Sequence, residues 1–166
     1  MRRDGSVDAL VLRGDMDAVV GAGRLFSVLA SVRAQWANRP LLAYDEFSVG
    51  NLTIGRGYDP GSNSGDRAIG LRSELRMKPP VLQRLTPQLF AFTDAVLLTN
   101  LDSGATEVNR RLRSVGGGLR LVFANRLAAE VSYARPLDKA LLINGSRPPD
   151  RLLMSLIVQV RGRTQR

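Results

Sequence analysis

An all-β fold of antiparallel strands is what the sequence predicts, and three observations predict it. Apolar and polar residues take turns with a period of two over stretches of about ten residues, while helical periodicity is scarce. The stretches are separated by turn chemistry: Asn38 to Pro40, Pro79-Pro80, Asp102-Ser103-Gly104, and Asn144-Gly145-Ser146 before Pro148-Pro149. No run approaches the roughly 18 apolar residues of a spanning helix, and the mean hydropathy is −0.08. That value excludes a helical membrane bundle and leaves a membrane β-barrel open, because barrel strands alternate lipid-facing and lumen-facing residues.

The elements follow in order. Ala9 to Val20 alternates weakly, so residues 1–23 read as a weak or incomplete first strand. Phe26, Val28, Ala30, Val32, Ala34 and Trp36 then form one apolar face against the mostly polar Ser27, Leu29, Ser31, Arg33 and Gln35. Ile69, Leu71, Leu75 and Met77 oppose Arg72, Glu74 and Arg76, with Ser73 as the exception. Two further segments run from Gln88 to Leu98 and from Leu112 to Phe123. Leu127, Ala129, Val131 and Tyr133 oppose Glu130 and Ser132; last, Leu152, Met154, Leu156, Val158 and Val160 oppose Ser155, Gln159 and Arg161. The count is six or seven strands of a length that crosses a bilayer when tilted. A soluble sandwich also shows one apolar face per strand, but its strands average about five or six residues. The longer segments and the charged row Arg72/Glu74/Arg76, suited to a watery lumen, favour a barrel; the pattern alone leaves both architectures standing.

The 166 residues suffice for one domain. Lys and Arg number 24 against 15 Asp and Glu, a net charge of +9, which raises the question of nucleic acid. A sheet that binds single strands interleaves aromatics with its cations. Here aromatic residues are 5% of the chain, and Trp36 and Tyr133 fall on apolar faces. Cysteine and histidine are both absent, which removes disulfides, thiolate chemistry, His-dependent triads and His-ligated zinc. No enzyme activity, metal or cofactor is expected. Asp8, Asp15, Asp17 and Glu46 lack EF-hand spacing and read as solvated loop charges. Met1-Arg2-Arg3-Asp4-Gly5 is not followed by the apolar stretch of a secretory signal, so either the chain is cytoplasmic or its beginning is missing.

The most informative stretch is residues 47–66. Phe47-Ser48-Val49-Gly50-Asn51-Leu52-Thr53-Ile54-Gly55-Arg56-Gly57-Tyr58-Asp59-Pro60 continues through Ser64-Gly65-Asp66-Arg67. Loops this long are functional or disordered, and its Phe, Leu, Ile and Tyr argue for packing. Gly55-Arg56-Gly57-Tyr58 followed by Ser64-Gly65-Asp66 resembles the signature of the outer-membrane transporters of two-partner secretion, the haemolysin secretion/activation proteins. Ile54 stands one place early, because Gly55 takes the usual aliphatic position. Phe92-Thr93-Asp94-Ala95-Val96 is similar to the family's Phe-x-Asp-x-Gly element, with Val96 where glycine is usual. Gly116-Gly117-Gly118-Leu119-Arg120 and Tyr133-Ala134-Arg135-Pro136-Leu137 resemble elements of its last strands. The resemblance covers about Gly23 to Val160.

The resemblance implies a transmembrane barrel of about sixteen strands, preceded by periplasmic domains. Residues 1–166 then represent a carboxy-terminal portion of that barrel, a fragment ending in a 161–166 tail where such barrels commonly close on an aromatic residue. It implies residence in the bacterial outer membrane, contact with its lipid, and export of a large secreted exoprotein, an adhesin or haemolysin, with no nucleic acid partner. It implies further that the 47–66 loop folds into the barrel, where Arg56 latches onto Asp94, supported by Gly55, Gly57, Tyr58, Ser64, Gly65, Asp66 and Phe92. Tyr58 is expected near Phe92, and Val96 is expected to crowd the loop tip. Two other readings stand beside this one: an assembly factor for outer-membrane proteins from the same superfamily, and a soluble basic β-domain binding nucleic acid.

Overall fold

The computed structural model describes residues 5–50, 53–59, 63–80, 84–103, 107–124, 126–140 and 146–159. Seven long strands make one antiparallel sheet: β1 (Val11–Ala22), β2 (Phe26–Ala37), β5 (Arg67–Met77), β6 (Leu85–Thr99), β7 (Asn109–Phe123), β8 (Leu127–Pro136) and β9 (Arg151–Val158). Two short strands within the long loop, β3 (Phe47–Ser48) and β4 (Ser64–Gly65), pair with each other. Among the described residues there is no helix. The sheet follows chain order, with β1 and β9 at its two edges and not joined to each other. This is a partial barrel wall.

The weakly alternating first segment forms a full strand. β1 pairs with β2 along its whole length, from Val11 opposite Ala37 to Ala22 opposite Phe26. Ladder bonds, rather than side-chain contrast, define it: Gly14, Ala18, Gly21 and Ala22 blur the hydropathy pattern without disturbing the backbone. Asp15 and Asp17 consequently lie on a strand, opposite Arg33 and Ser31, and not in a loop. Asn51, Leu52, Pro60, Gly104, Asn144-Gly145, Val160 and the 161–166 tail, all named in the sequence reading, lie outside the described residues.

Register sorts the side chains onto two faces, because successive residues of a strand point oppositely. One face carries Leu12, Met16 and Val20 of β1, Phe26, Val28 and Trp36 of β2, and Ile69, Leu71 and Leu75 of β5. It continues through Leu89 and Leu97, Leu119 and Phe123, Val131 and Tyr133, and Leu152, Met154, Leu156 and Val158, all exposed. A continuous apolar face of this breadth has no place in water and is what a lipid-facing barrel wall presents. The opposite, inner face carries Gln35, Glu74, Asp94, Ser114 and Ser132, all buried. The connections differ by end as well. Residues 23–25, 78–84 and 124–126 are turns or short links, whereas residues 38–66, 100–108 and 137–150 are the longer ones. In outer-membrane barrels the short turns are periplasmic and the long loops extracellular.

Candidate functional site: a loop against the inner wall

The longest connection, residues 38–66, lies across the inner face of β5 to β8. Its two stalks are β3 and β4, joined by Phe47 opposite Gly65 and Ser48 opposite Ser64. Asp66 brackets the base: one carboxylate oxygen accepts from the Leu41 N–H at 2.6 Å, and the other from the Leu101 N–H at 2.6 Å. The Gln35 amide donates to the Asp66 carbonyl, Arg110 to the Ser64 carbonyl at 2.7 Å, and the Ser64 hydroxyl bonds to Glu46. Ser64-Gly65-Asp66 thus ties the base of the loop to the wall. Gly65 permits close approach to Leu98 and Thr99, where a Cβ would stand 3.3 Å from each.

At the tip, the chain turns through Gly55, whose φ of +78° lies in the left-handed region, where a side chain is disfavoured. A Cβ there would also strike Val49. The turn is closed by the Tyr58 N–H donating to the Gly55 carbonyl at 2.9 Å. It aims two backbone donors and one guanidinium at Asp94 of β6. The Gly55 and Arg56 N–H groups reach one carboxylate oxygen at 3.2 and 3.1 Å. Arg56 Nε meets the same oxygen at 3.1 Å, and its Nη2 meets the other at 3.0 Å. The planar fork of arginine matches the carboxylate on both oxygens. Arg56 and Asp94 have no side-chain exposure at all. The guanidinium also lies on the Phe92 ring, 3.3 Å from its centroid, a cation–π contact that strengthens with burial.

A second carboxylate, Glu74 of β5, completes the site. Register places Glu74 opposite Phe92 and Arg72 opposite Asp94, so both carboxylates stand on adjoining strands of the inner face. Glu74 accepts from Arg56 at 3.3 Å, Arg72 at 2.7 Å and Arg76 at 2.8 Å, and both of its oxygens accept from Arg120 of β7. Arg120 goes on to Glu130 at 2.6 Å and Gln88 at 3.1 Å, and its guanidinium covers the Phe90 ring at 4.1 Å. Arg72 also donates to the Thr53 carbonyl at 3.2 Å, holding the loop from the side. Four guanidiniums and three carboxylates share one hydrogen-bonded network. None of the buried charges is left alone, the condition for tolerating them.

Apolar packing fixes the rest of the loop. Val49, Ile54 and Tyr58 pack with Ala68, Val96, Leu98 and Leu112 of the wall. The crowding expected from Val96 is relieved from across the ladder. Gly70 is its partner on β5, and Ile54 fills the space a Cβ of Gly70 would take, approaching to 3.0 Å. Tyr58 belongs to this cluster, whereas Phe92 packs with Phe90 and Ala134; the ring face expected to meet Tyr58 is taken by Arg56 instead. The Tyr58 hydroxyl donates to the Arg113 carbonyl at 2.9 Å and accepts from the Asp138 N–H at 3.1 Å. Burial pushes this phenol above its ordinary pKa, so it stays a donor. Arg151 of β9 binds the Tyr58 carbonyl and, at 3.1 Å, the Asp59 carboxylate. Gly57 slides against β7 and β8, where a Cβ would stand 2.8 Å from Ser114 and 2.9 Å from Pro136.

Two of the three consecutive glycines of β7 have a related use. Gly116 is paired with Phe92 and Gly118 with Phe90, and a Cβ on either would lie 2.6–2.7 Å from the partner ring. The glycines clear the wall so that the two rings lie flat on it, beneath Arg56 and Arg120. Phe90 and Arg151 are members of the site that motif reading did not name, and Glu74 and Arg120 were named only within a charged row and a glycine-rich element, without a place in the site. Arg72/Glu74/Arg76 announced a charged row, but only the register reveals that Glu74 gathers it.

Comparison with known proteins agrees with this architecture. The profile of the haemolysin secretion/activation protein ShlB/FhaC/HecB family matches residues 16–121, well over half the chain. The chain belongs to the haemolysin secretion/activation family. Its members are outer-membrane transporters of two-partner secretion, and the antiparallel sheet of this ShlB/FhaC/HecB member fits a portion of such a barrel. No curated protein and no solved structure matches the chain.

Proposed function

We propose that this chain forms the loop-bearing wall of a pore that exports a large partner exoprotein, an adhesin or haemolysin, across the outer membrane. On this reading the residues are a carboxy-terminal portion of a larger barrel, completed by further strands and by periplasmic domains that receive the cargo. The 47–66 loop is a latch folded into the lumen, and Arg56 with Asp94 is its bolt. Gly55, Gly57 and Tyr58 shape and seat the tip; Ser64, Gly65 and Asp66 fix the hinge; Phe92 backs the guanidinium. Export is passive in this scheme and uses no bound cofactor, the cargo crossing unfolded.

The observation that carries the reading is the full burial of Arg56 and Asp94 between loop and wall. A pair sealed from water on a loop tip is too costly to be incidental. Removing one partner of a buried ion pair costs about 3–5 kcal/mol, enough to free the loop. In the full-length transporter, Arg56→Ala is expected to abolish secretion of the partner while the barrel still inserts into the membrane. Secretion assayed in the culture medium, beside membrane fractionation, decides it: unchanged export from a correctly inserted Arg56→Ala protein sinks the latch. Nucleic acid binding is disfavoured because Arg56, Arg72, Arg76 and Arg120 are committed to Glu74.

A further inference from the structure

The lipid-facing side of the strands carries four charges among the described residues, and all four are arginines. Arg67 opens β5, Arg111 and Arg113 stand at the start of β7, and Arg135 stands at the end of β8. No carboxylate shares that face of any strand. Each arginine sits at the long-loop end, just beyond the apolar band: Ile69 follows Arg67, Val115 follows Arg113, and Tyr133 precedes Arg135. The border steps from one strand to the next across the ladder, as it must when strands tilt by about 35–45° in the membrane. Trp36 marks the same border, with the Arg67 guanidinium 5.2 Å from its ring.

The β7–β8 part of this rim is richest in charge. Arg113 forks onto Asp138, with both contacts at 2.9 Å, and Arg147 stands 3.8 Å from Asp150. Arg111, Arg135 and Lys139 are exposed and form no hydrogen bond or ion pair among the described residues. Asp138 feels Arg111 as well as Arg113, and the ladder sets Arg135 opposite Val115, two residues along β7 from Arg113. Arg111, Leu137, Asp138 and Lys139 line a cleft of about 550 Å³. Arg110 and Glu107, also in its wall, offset each other, and the rim keeps a surplus of positive charge.

Unpaired guanidiniums at the upper edge of a lipid-facing band suit one chemistry. An acylated molecule covers the apolar strands with its chains and brings phosphate to the level of the arginines, where each fork donates to two phosphate oxygens. We propose that the outer rim of β7 and β8 binds the phosphorylated headgroup of a multiply acylated lipid from the leaflet on the long-loop side. The inference rests on reading the sheet as a membrane wall. Arg24, Lys78, Arg84 and Arg126 at the opposite end sit in turns rather than on strand faces, which makes them natural controls.

The full-length protein is inserted into phosphatidylcholine vesicles doped with diphosphoryl lipid A or with its dephosphorylated form. It is then extracted in mild non-ionic detergent and weighed by native mass spectrometry. Retention of the diphosphoryl form alone is expected. The double variant R111Q/R135Q retains roughly tenfold less or lower still, and R24Q/R84Q retains as much as the parent. Equal retention of the dephosphorylated lipid overturns the proposal, as does full retention by R111Q/R135Q or an equal loss in R24Q/R84Q. Displacement of the lipid by inorganic pyrophosphate reduces the rim to a free-phosphate site and overturns it too. Protease protection of the inserted strands separates the two levels of failure. A protein that does not insert loses both the membrane reading and the rim, whereas an inserted protein without lipid loses the rim alone.

Discussion

The inner face of the sheet has two parts built from the same residue types with opposite outcomes. On β1 and β2, Asp15 and Arg33 stand 3.6 Å apart with 72% and 42% of their side chains exposed. On β5 and β6, Glu74 and Asp94 have no exposure and are saturated by arginines. Alternation puts all four on the same face; the difference is the loop, which lies over β5 to β8 and, beyond its contacts with Gln35 of β2, leaves Asp15 and Arg33 to solvent. Exposed pairs contribute about 0–1 kcal/mol. Sealing a pair under a loop makes it costly to break rather than strong in itself. Position under the loop, rather than charge, separates the sealed pair from the ordinary wall.

The largest way to break that contrast is at the hub. Glu74→Gln leaves Arg56, Arg72, Arg76 and Arg120 without their common anion and is expected to destabilise the seated loop by about 3–5 kcal/mol. Asp15→Asn on the bare wall is expected to stay within about 0.5 kcal/mol. Hydrogen exchange at the Gly55 and Arg56 amides, which point at Asp94, reads both; equal protection in the two variants removes the distinction. A smaller effect tests the floor beneath the guanidinium. Gly116→Val drives a side chain into the Phe92 ring and the Tyr133 carbonyl, with an expected loss of about 1–3 kcal/mol for overpacking, measured by denaturant unfolding. The same change at Gly14, which has open space around its Cβ position, is expected to be silent.

The smallest effect is electrostatic and lies at the edge of the loop. The Arg113 fork holds Asp138 below the usual carboxylate range. A carboxylate held down in the folded state stabilises it above the unfolded value of about 3.9, and the contribution fades as pH falls through the lower folded value. Acidification below about pH 4 is therefore expected to loosen the backbone that meets the Tyr58 hydroxyl, and Asp138→Asn to flatten that response. Exchange at the Asp138 amide against pH reports the slope; an unaltered slope in the variant means that Arg113 does not set it.

The strands were legible because side chains alternate so visibly in β2, β5 and β9. β1 was less so because Gly14, Ala18 and Gly21 contribute no contrast, and its pairing with β2 is a tertiary fact. Arg56 and Asp94 stand out as residues through the motifs around them, and their contact arises from the turn at Gly55. Glu74 was hidden for a different reason. Its neighbours Arg72 and Arg76 look sufficient to balance it, and nothing local says that Arg120, 46 residues on, arrives on the same spot. Tyr58 was misplaced because a strand face was known for Phe92 but no register for the loop. Gly70 escaped notice because a glycine opposite a valine has meaning only once the ladder aligns them.

The unpaired edges carry a consequence of parity. In a seven-stranded antiparallel sheet the first and last strands point the same way, so β1 and β9 both descend from the long-loop end to the turn end. Stitching them together directly, or to a second copy standing upright beside the first, forces two chains to run abreast in one direction. An all-antiparallel cylinder therefore needs an odd complement of additional staves between those margins, and mirror-like doubling of this wall does not supply one.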